Sequence, residues 1–264
     1  MKLCSIASSS SGNCIYVGDD TTGVLIDAGI SKKKIIDGLN LRNIDVNTIK
    51  AILVTHEHSD HIQGLGVMAR GYSIPIYSTV ETINAILKNK NIGKIPDELF
   101  HCIAPNEDFM IDDLLVHAFS MSHDAANPVC YTVSHNDAKV SVATDIGIYN
   151  DYIVNNLKDS SMILIEANHD VNMLEVGPYS YYLKQRILGD HGHLSNENCG
   201  RLLCDVMSDK LKHVLLGHLS KENNYPELAY ETVKCKITEE YGNMQGKMSL
   251  CVARRDEPSE ILIA

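Results

Sequence analysis

Apolar residues fall into short runs broken at intervals by turn-forming residues, the pattern of a chain built from strands with helices between them. Residues 3–7, 14–17 and 24–26 are β-prone and are separated by Ser11-Gly12-Asn13 and Asp19-Asp20, which predicts three consecutive antiparallel strands. Ser31 reads as an N-cap, with Ile35, Ile36 and Leu39 on one face of the helix behind it. Residues 51–54 are apolar throughout, hence a buried strand, and the run stops just before His56. The pattern then predicts helices at 62–70 and 80–88 and strands at 74–77, 114–120, 129–134 and 140–143. In the last third it predicts strands at 162–166 and 213–216 and helices at 195–207 and 226–238. No Pro-, Gly- or Ser-rich linker divides these halves, so residues 1–264 are expected to form one α/β domain of two packed sheets with helices outside.

Composition agrees with a well-packed globular chain: 44% of the residues are hydrophobic and 22% charged. The eight cysteines are scattered without a Cys-x-x-Cys pair, so they are expected to be reduced thiols. No apolar run approaches the roughly 18 residues of a membrane span and no signal-like stretch opens the sequence, so a cytoplasmic protein without membrane association is expected. The net charge of −11 argues against a broad basic surface for gripping nucleic acid, while leaving room for a local basic groove.

Candidate chemistry concentrates at residues 55–61, Thr-His-Glu-His-Ser-Asp-His. His56, His58, Asp60 and His61 place four metal-competent side chains directly after a buried strand. His56 and His58 share a direction because side chains alternate, so both reach one ion, while Asp60 and His61 open the next helix and turn toward a second. Imidazole with carboxylate suits zinc, and also manganese or iron, at a site that keeps a position for water. Further donors stand after other strands: His123, Asp145 and His218.

In this order Asp27, the His56-to-His61 cluster, His123, Asp145 and His218 resemble the five motifs of the metallo-β-lactamase superfamily. The resemblance implies a four-layer αβ/βα sandwich with two divalent ions, Zn2+ or Mn2+, at the shared edge of the sheets. It implies that His56, His58 and His123 hold one ion, that Asp60, His61 and His218 hold the other, that Asp145 bridges them, and that Asp27 orients ligands by hydrogen bonding. His58 stands where the superfamily's diiron redox members carry glutamate, which implies the hydrolytic branch. Two adjacent ions lower the pKa of a water between them and polarise the scissile group. Asp60, His193 and Asp27 are then the expected catalytic residues.

That core alone fits thioester, β-lactam or phosphodiester hydrolysis, so other segments must choose the substrate. His191-Gly192-His193-Leu194-Ser195-Asn196 combines a glycine turn with a helix start, where exposed amides favour phosphate. It resembles a phosphate-contacting motif of nucleases related to ribonuclease J, which makes His193 and Ser195 candidates for substrate phosphate. His169, in Glu166-Ala167-Asn168-His169-Asp170, is a third. Together with Ser-Ser-Gly-Asn-Cys at 10–14 and Leu183-Lys184-Gln185-Arg186-Ile187, these segments resemble the YycJ/WalJ family. That likeness implies a 5′-to-3′ exonuclease on double-stranded DNA, with DNA ends as the partner. The large insert of ribonuclease J-type enzymes between Asp145 and His218 is missing, so DNA contacts are expected near the metals, with Lys184 and Arg186 contributing. A cyclic phosphodiesterase or glyoxalase-II-like thioesterase of the same fold is one alternative, and a non-catalytic metal-binding regulatory module is another.

Overall fold

Alternation across a strand puts Val24 and Ile26 on one face of their sheet and Leu25 on the other, and all three are fully buried. Double burial of this kind requires an apolar layer on each side of the sheet. The computed structural model, which describes residues 1–242 and 246–264, supplies it with two seven-stranded sheets stacked face to face and helices on their outer faces.

The first sheet contains β1 (Lys2–Ala7), β2 (Cys14–Gly18), β3 (Gly23–Ile26), β4 (Ile49–Leu53), β5 (Ile76–Thr79) and β6 (Phe100–Ile103). Its first three strands are antiparallel neighbours and β3 to β6 run parallel. In the second sheet β7 (Asp108–Ile111), β8 (Leu114–Ser120), β9 (Val129–His135) and β10 (Ala138–Ala143) form an antiparallel meander. Parallel to β10 lie β11 (Met162–Glu166), β12 (His213–Gly217) and β13 (Ser249–Val252). A short β14 (Leu262–Ile263) pairs with the outer edge of β1.

Leu3, Ile26 and Leu53 from one sheet meet Tyr131, Val142 and Leu164 from the other in the central layer. Outside the first sheet pack α1 (Lys32–Leu41), α2 (Ser59–Ile62), α3 (Leu65–Tyr72) and α4 (Val80–Lys88). Outside the second pack α5 (Asp151–Leu157), α8 (Asn196–Val206) and α9 (Pro226–Tyr241), while α6 (Val171–Val176) and α7 (Tyr181–Leu188) lead from β11 toward α8. This is the four-layer α/β sandwich expected. The helix expected at 62–70 is instead two helices, because the chain breaks at Gly64, whose amide donates to the Ala28 carbonyl at 2.8 Å. All eight cysteines are free thiols. Among the described residues no helix is long and apolar enough to cross a membrane.

Polar groups gather where the strands end. Asp27 follows β3, the 55–61 loop follows β4, Asp145 follows β10, Glu166 ends β11 and His218 follows β12. Three of these residues are left-handed, Asp27 at φ 63°, Asp145 at φ 60° and His218 at φ 56°, a conformation that turns each strand end sharply and that Asp and His tolerate better than most residues. Gly29 brings the β3 exit against the 55–61 loop. Its amide donates to the Asn13 carbonyl at 2.7 Å, and the Asn13 amide donates to the Asp60 carbonyl at 2.8 Å. A methyl group on Gly29 would stand 1.6 Å from that Asp60 oxygen, so one of the loops would have to move. Gly29→Ala is expected to cost about 1–3 kcal/mol, read as a lower urea midpoint at unchanged m-value; an unchanged midpoint would mean that the loops part freely.

Candidate metal centre

From Ala51 to Leu53 β4 is apolar and buried, so the polar groups after it emerge together at the sheet edge. His56 is completely buried, and its Nδ1–H donates to Thr55 Oγ1 at 2.9 Å while that hydroxyl donates to Asp27 Oδ2 at 2.9 Å. This fixes the proton on Nδ1 and leaves Nε2 as a lone pair with no hydrogen-bond partner. His61 is oriented by the same carboxylate, donating from Nδ1 to Asp27 Oδ2 at 2.7 Å. The Thr55 amide also donates to Asp27, at 2.8 Å.

Two antiparallel strands of the second sheet deliver His123, which donates from Nδ1 to the Gly192 carbonyl at 3.2 Å. Its Nε2 then faces His58 Nδ1 at 3.3 Å. On the other flank, His61 Nε2 lies 3.4 Å from Asp60 Oδ2 and 3.3 Å from Asp145 Oδ2. His218 Nε2 lies 3.5 Å from both Asp60 and Asp145. The structure thus brings all seven expected ligands together in overlapping groups, His56 with His58 and His123, His56 with His61 and Asp145, and Asp60 with His61 and His218, the donor atoms of each group within 4.8 Å of one another.

These residues fit divalent cations. His56 Nε2 and Asp145 Oδ2 are buried acceptors without partners, which costs stability unless a positive charge meets them. The ring nitrogens of His58 and His123 that face each other bring two more nitrogen donors to one small volume. Nitrogen and carboxylate donors in this proportion suit zinc or manganese.

Electrostatics across the cluster follow from its carboxylates. Burial opposes charge on His218, yet Asp145, Asp60 and Glu166 draw its pKa up to about 10. Burial also opposes charge on His61, but Asp27, Asp60 and Asp145 raise its pKa well above the usual value. For His56 burial wins, reinforced by the neighbouring histidines, and the ring is held neutral. Asp60 resists burial through His61 and His218 and stays well below the ordinary carboxylate range.

Glu166 and Asn13 join the site without having been among the expected ligands. Glu166 has no exposed surface, and it accepts from His193 Nδ1 and His218 Nδ1, each at 2.8 Å, and from the amides of Ile146 and Leu194 at 3.0 and 3.1 Å. In the sequence Glu166 stood out as the charged residue that closes the apolar run 162–165 and opens the segment 166–170, whose polar groups were expected at the metal edge. Asn13 Nδ2 stands 3.3 Å from His61 Nε2 and 3.5 Å from Asp60 Oδ2. Ser8 of the same turn accepts from the His218 amide at 2.9 Å.

The three residues expected to meet substrate phosphate are placed differently. His193 sits at the cluster, its side chain 17% exposed and 3.6 Å from Asp145. Ser195 is buried, and its hydroxyl caps α8 by accepting from the Asn198 amide. His169 is also buried, its Nδ1 3.3 Å from Asn168 Oδ1 and its pKa lowered by burial to about 4. The strand exit meets the start of α8 there, with the Asn196 amide donating to the His169 carbonyl at 2.9 Å, and His169 Nε2 is left without a hydrogen-bond partner. Of the two cations expected to contact DNA, Lys184 donates to the Glu175 carbonyl at 2.7 Å, and Arg186 pairs with Asp124 beside His123.

The family model described as Beta-lactamase superfamily domain matches residues 22–218. The exodeoxyribonuclease YycJ of Bacillus anthracis is 40% identical over 237 residues, covering 90% of this chain and 89% of its own. The exodeoxyribonuclease WalJ of Streptococcus pneumoniae serotype 2 is 40% identical over 232 residues, covering 88% and 86%. In fold, the metallo-beta-lactamase fold protein YhfI of Bacillus subtilis superposes with a TM-score of 0.68 at 12% identity, covering 98% of this chain and 99% of that one. If Asp27 orients its neighbours for a cation, metal-stripped Asp27→Asn should bind Zn2+ about 10- to 100-fold more weakly by calorimetric titration; equal affinity would remove Asp27 from that role.

Proposed function

The chain belongs to the beta-lactamase superfamily and is a metal-dependent hydrolase, and we propose that it cleaves phosphodiesters of nucleic acid, as a 5′-to-3′ exonuclease on double-stranded DNA. The observation that carries this reading is 40% identity, across nine-tenths of the chain, with a protein named as an exodeoxyribonuclease. In this reading His56, His58 and His123 would hold one Zn2+ or Mn2+ ion, Asp60, His61 and His218 would hold a second, and Asp145 would be a further ligand. Such ions, when bound, would supply Lewis acidity toward a phosphoryl oxygen and would lower the pKa of water at the site.

The protein's own groups do the rest. Asp60 and Asp145 carry negative charge into the cluster and hold it open to cations. Asp27 keeps His61 in the tautomer whose Nε2 faces inward. With Nδ1 of His193 committed to Glu166, its Nε2 is the nitrogen that serves a substrate oxygen, delivering a proton to the leaving group. The turn at Gly192 keeps that imidazole at the cluster, since its carbonyl also holds His123.

On end-labelled, 5′-phosphorylated duplex DNA with Zn2+ or Mn2+ supplied, the wild type should release nucleotides from the 5′ end and Asp60→Ala should not; equal cutting by the variant would dismiss the site. An enzyme that leaves the duplex intact while rapidly hydrolysing a small thioester would be a small-molecule hydrolase instead. His193→Ala should lower kcat by roughly 100- to 1,000-fold at unchanged metal content, and a rise in KM alone would make His193 a binding group.

A further inference from the structure

Helix α7 stands on the rim of the metal centre. Arg186 fastens it there by pairing with Asp124, whose carboxylate lies 3.5 Å from His123 Nε2 and 4.0 Å from His58 Nε2. Just beyond its last turn, Ser122 Oγ donates to the Asp190 carbonyl at 2.7 Å and tightens the same junction. Only Ile187 of the helix is buried. At the other end, Tyr181 and Tyr182 are 71% and 85% exposed, their rings edge to face with centroids 6.1 Å apart. Tyr182 and Arg186 are four residues apart and share a helix face, their backbone positions about 6 Å apart along the helix axis.

Two large rings held in water add nothing to the core of this fold, and they stand on the same short helix whose other end is pinned beside His58 and His123. With a net charge of −11 the chain has no general attraction for a polyanion. Base stacking is independent of charge, and exposed aromatic faces are what hold unpaired bases. Resting on the nuclease reading, we propose that Tyr181 and Tyr182 form a stacking ledge for a nucleobase of the strand that enters the metal centre, so that the enzyme engages an end whose terminal bases are unpaired.

The test uses metal-loaded, full-length protein and a duplex with a short 5′ tail carrying 2-aminopurine and cleavage-resistant phosphorothioate links. Wild type should quench the probe. The double variant Tyr181→Ala/Tyr182→Ala should bind roughly 10- to 100-fold more weakly without quenching, whereas Tyr181→Phe/Tyr182→Phe, which keeps the rings, should bind and quench as wild type does. Thermal midpoints of the two variants that agree within a few degrees exclude misfolding as the cause. Wild-type binding by the alanine variant overturns the ledge. So does a dimeric wild type that becomes monomeric in the alanine variant with unchanged DNA affinity, because the rings then face a second copy. If the ledge binds the tailed duplex but an ordinary tailed duplex is never cut, the nuclease reading fails and the ledge stands.

Discussion

A carboxylate removed from water has to be given partners by the fold, and Glu166 is given four: two backbone amides and two imidazoles. Those donors come from the β10 exit, the turn before α8 and the β12 exit, so one side chain fixes the relative positions of three segments that are far apart in sequence. Its charge is correspondingly favoured, and despite complete burial its pKa lies below the ordinary carboxylate range because His193 and His218 outweigh desolvation. Asp27 plays the matching part in the first sheet with fewer donors. There burial outweighs His61 and Thr55, and the pKa rises. Each sheet therefore contributes one buried anion that grips imidazoles by their Nδ1 atoms and presents their Nε2 atoms to the shared edge.

The sandwich makes that arrangement possible because its central strands are buried on both faces. A strand with no polar side chain in its interior can be followed by several polar groups only at its end. Parallel neighbours such as β10, β11 and β12 end side by side, which is where open α/β sheets place their ligands. The acidic net charge fits this economy of position: cations held by the carboxylates would reverse the local potential over the site without a basic surface elsewhere.

Segments that carry the core were legible from sequence because their periodicity is unambiguous. Residues 114–120 and 162–166 and the helix 80–88 have the predicted bounds, and Ser31 caps α1 by accepting from the Lys34 amide. Strands β6, β7 and β13, by contrast, are four residues each and largely half-exposed, so their short runs did not stand out as core strands. The same holds for α6 and α7, with one buried residue each. At the site, the crowded His and Asp spacing was readable, whereas Glu166 and Asn13 stood within motifs that were noticed but had no role of their own assigned. Their roles depend on which loops meet across the sheet edge, a tertiary fact that no local pattern encodes. His169 and Ser195 are buried where the β11 exit meets the start of α8, a placement set by tertiary contacts rather than by their motifs.

The left-handed strand exits at Asp27, Asp145 and His218 have a bearing on how substitutions there are to be interpreted. Alanine at any of these positions removes a polar side chain and also forces a methyl-bearing residue into a backbone region that costs it about 1 kcal/mol or more. Asparagine at 27 or 145 keeps the backbone at ease while taking away the charge, and glycine relaxes the turn while taking away everything else. Comparing the three at one position separates chemistry from geometry, so that a lost activity can be attributed to a missing ligand or to a strand that no longer bends where it should.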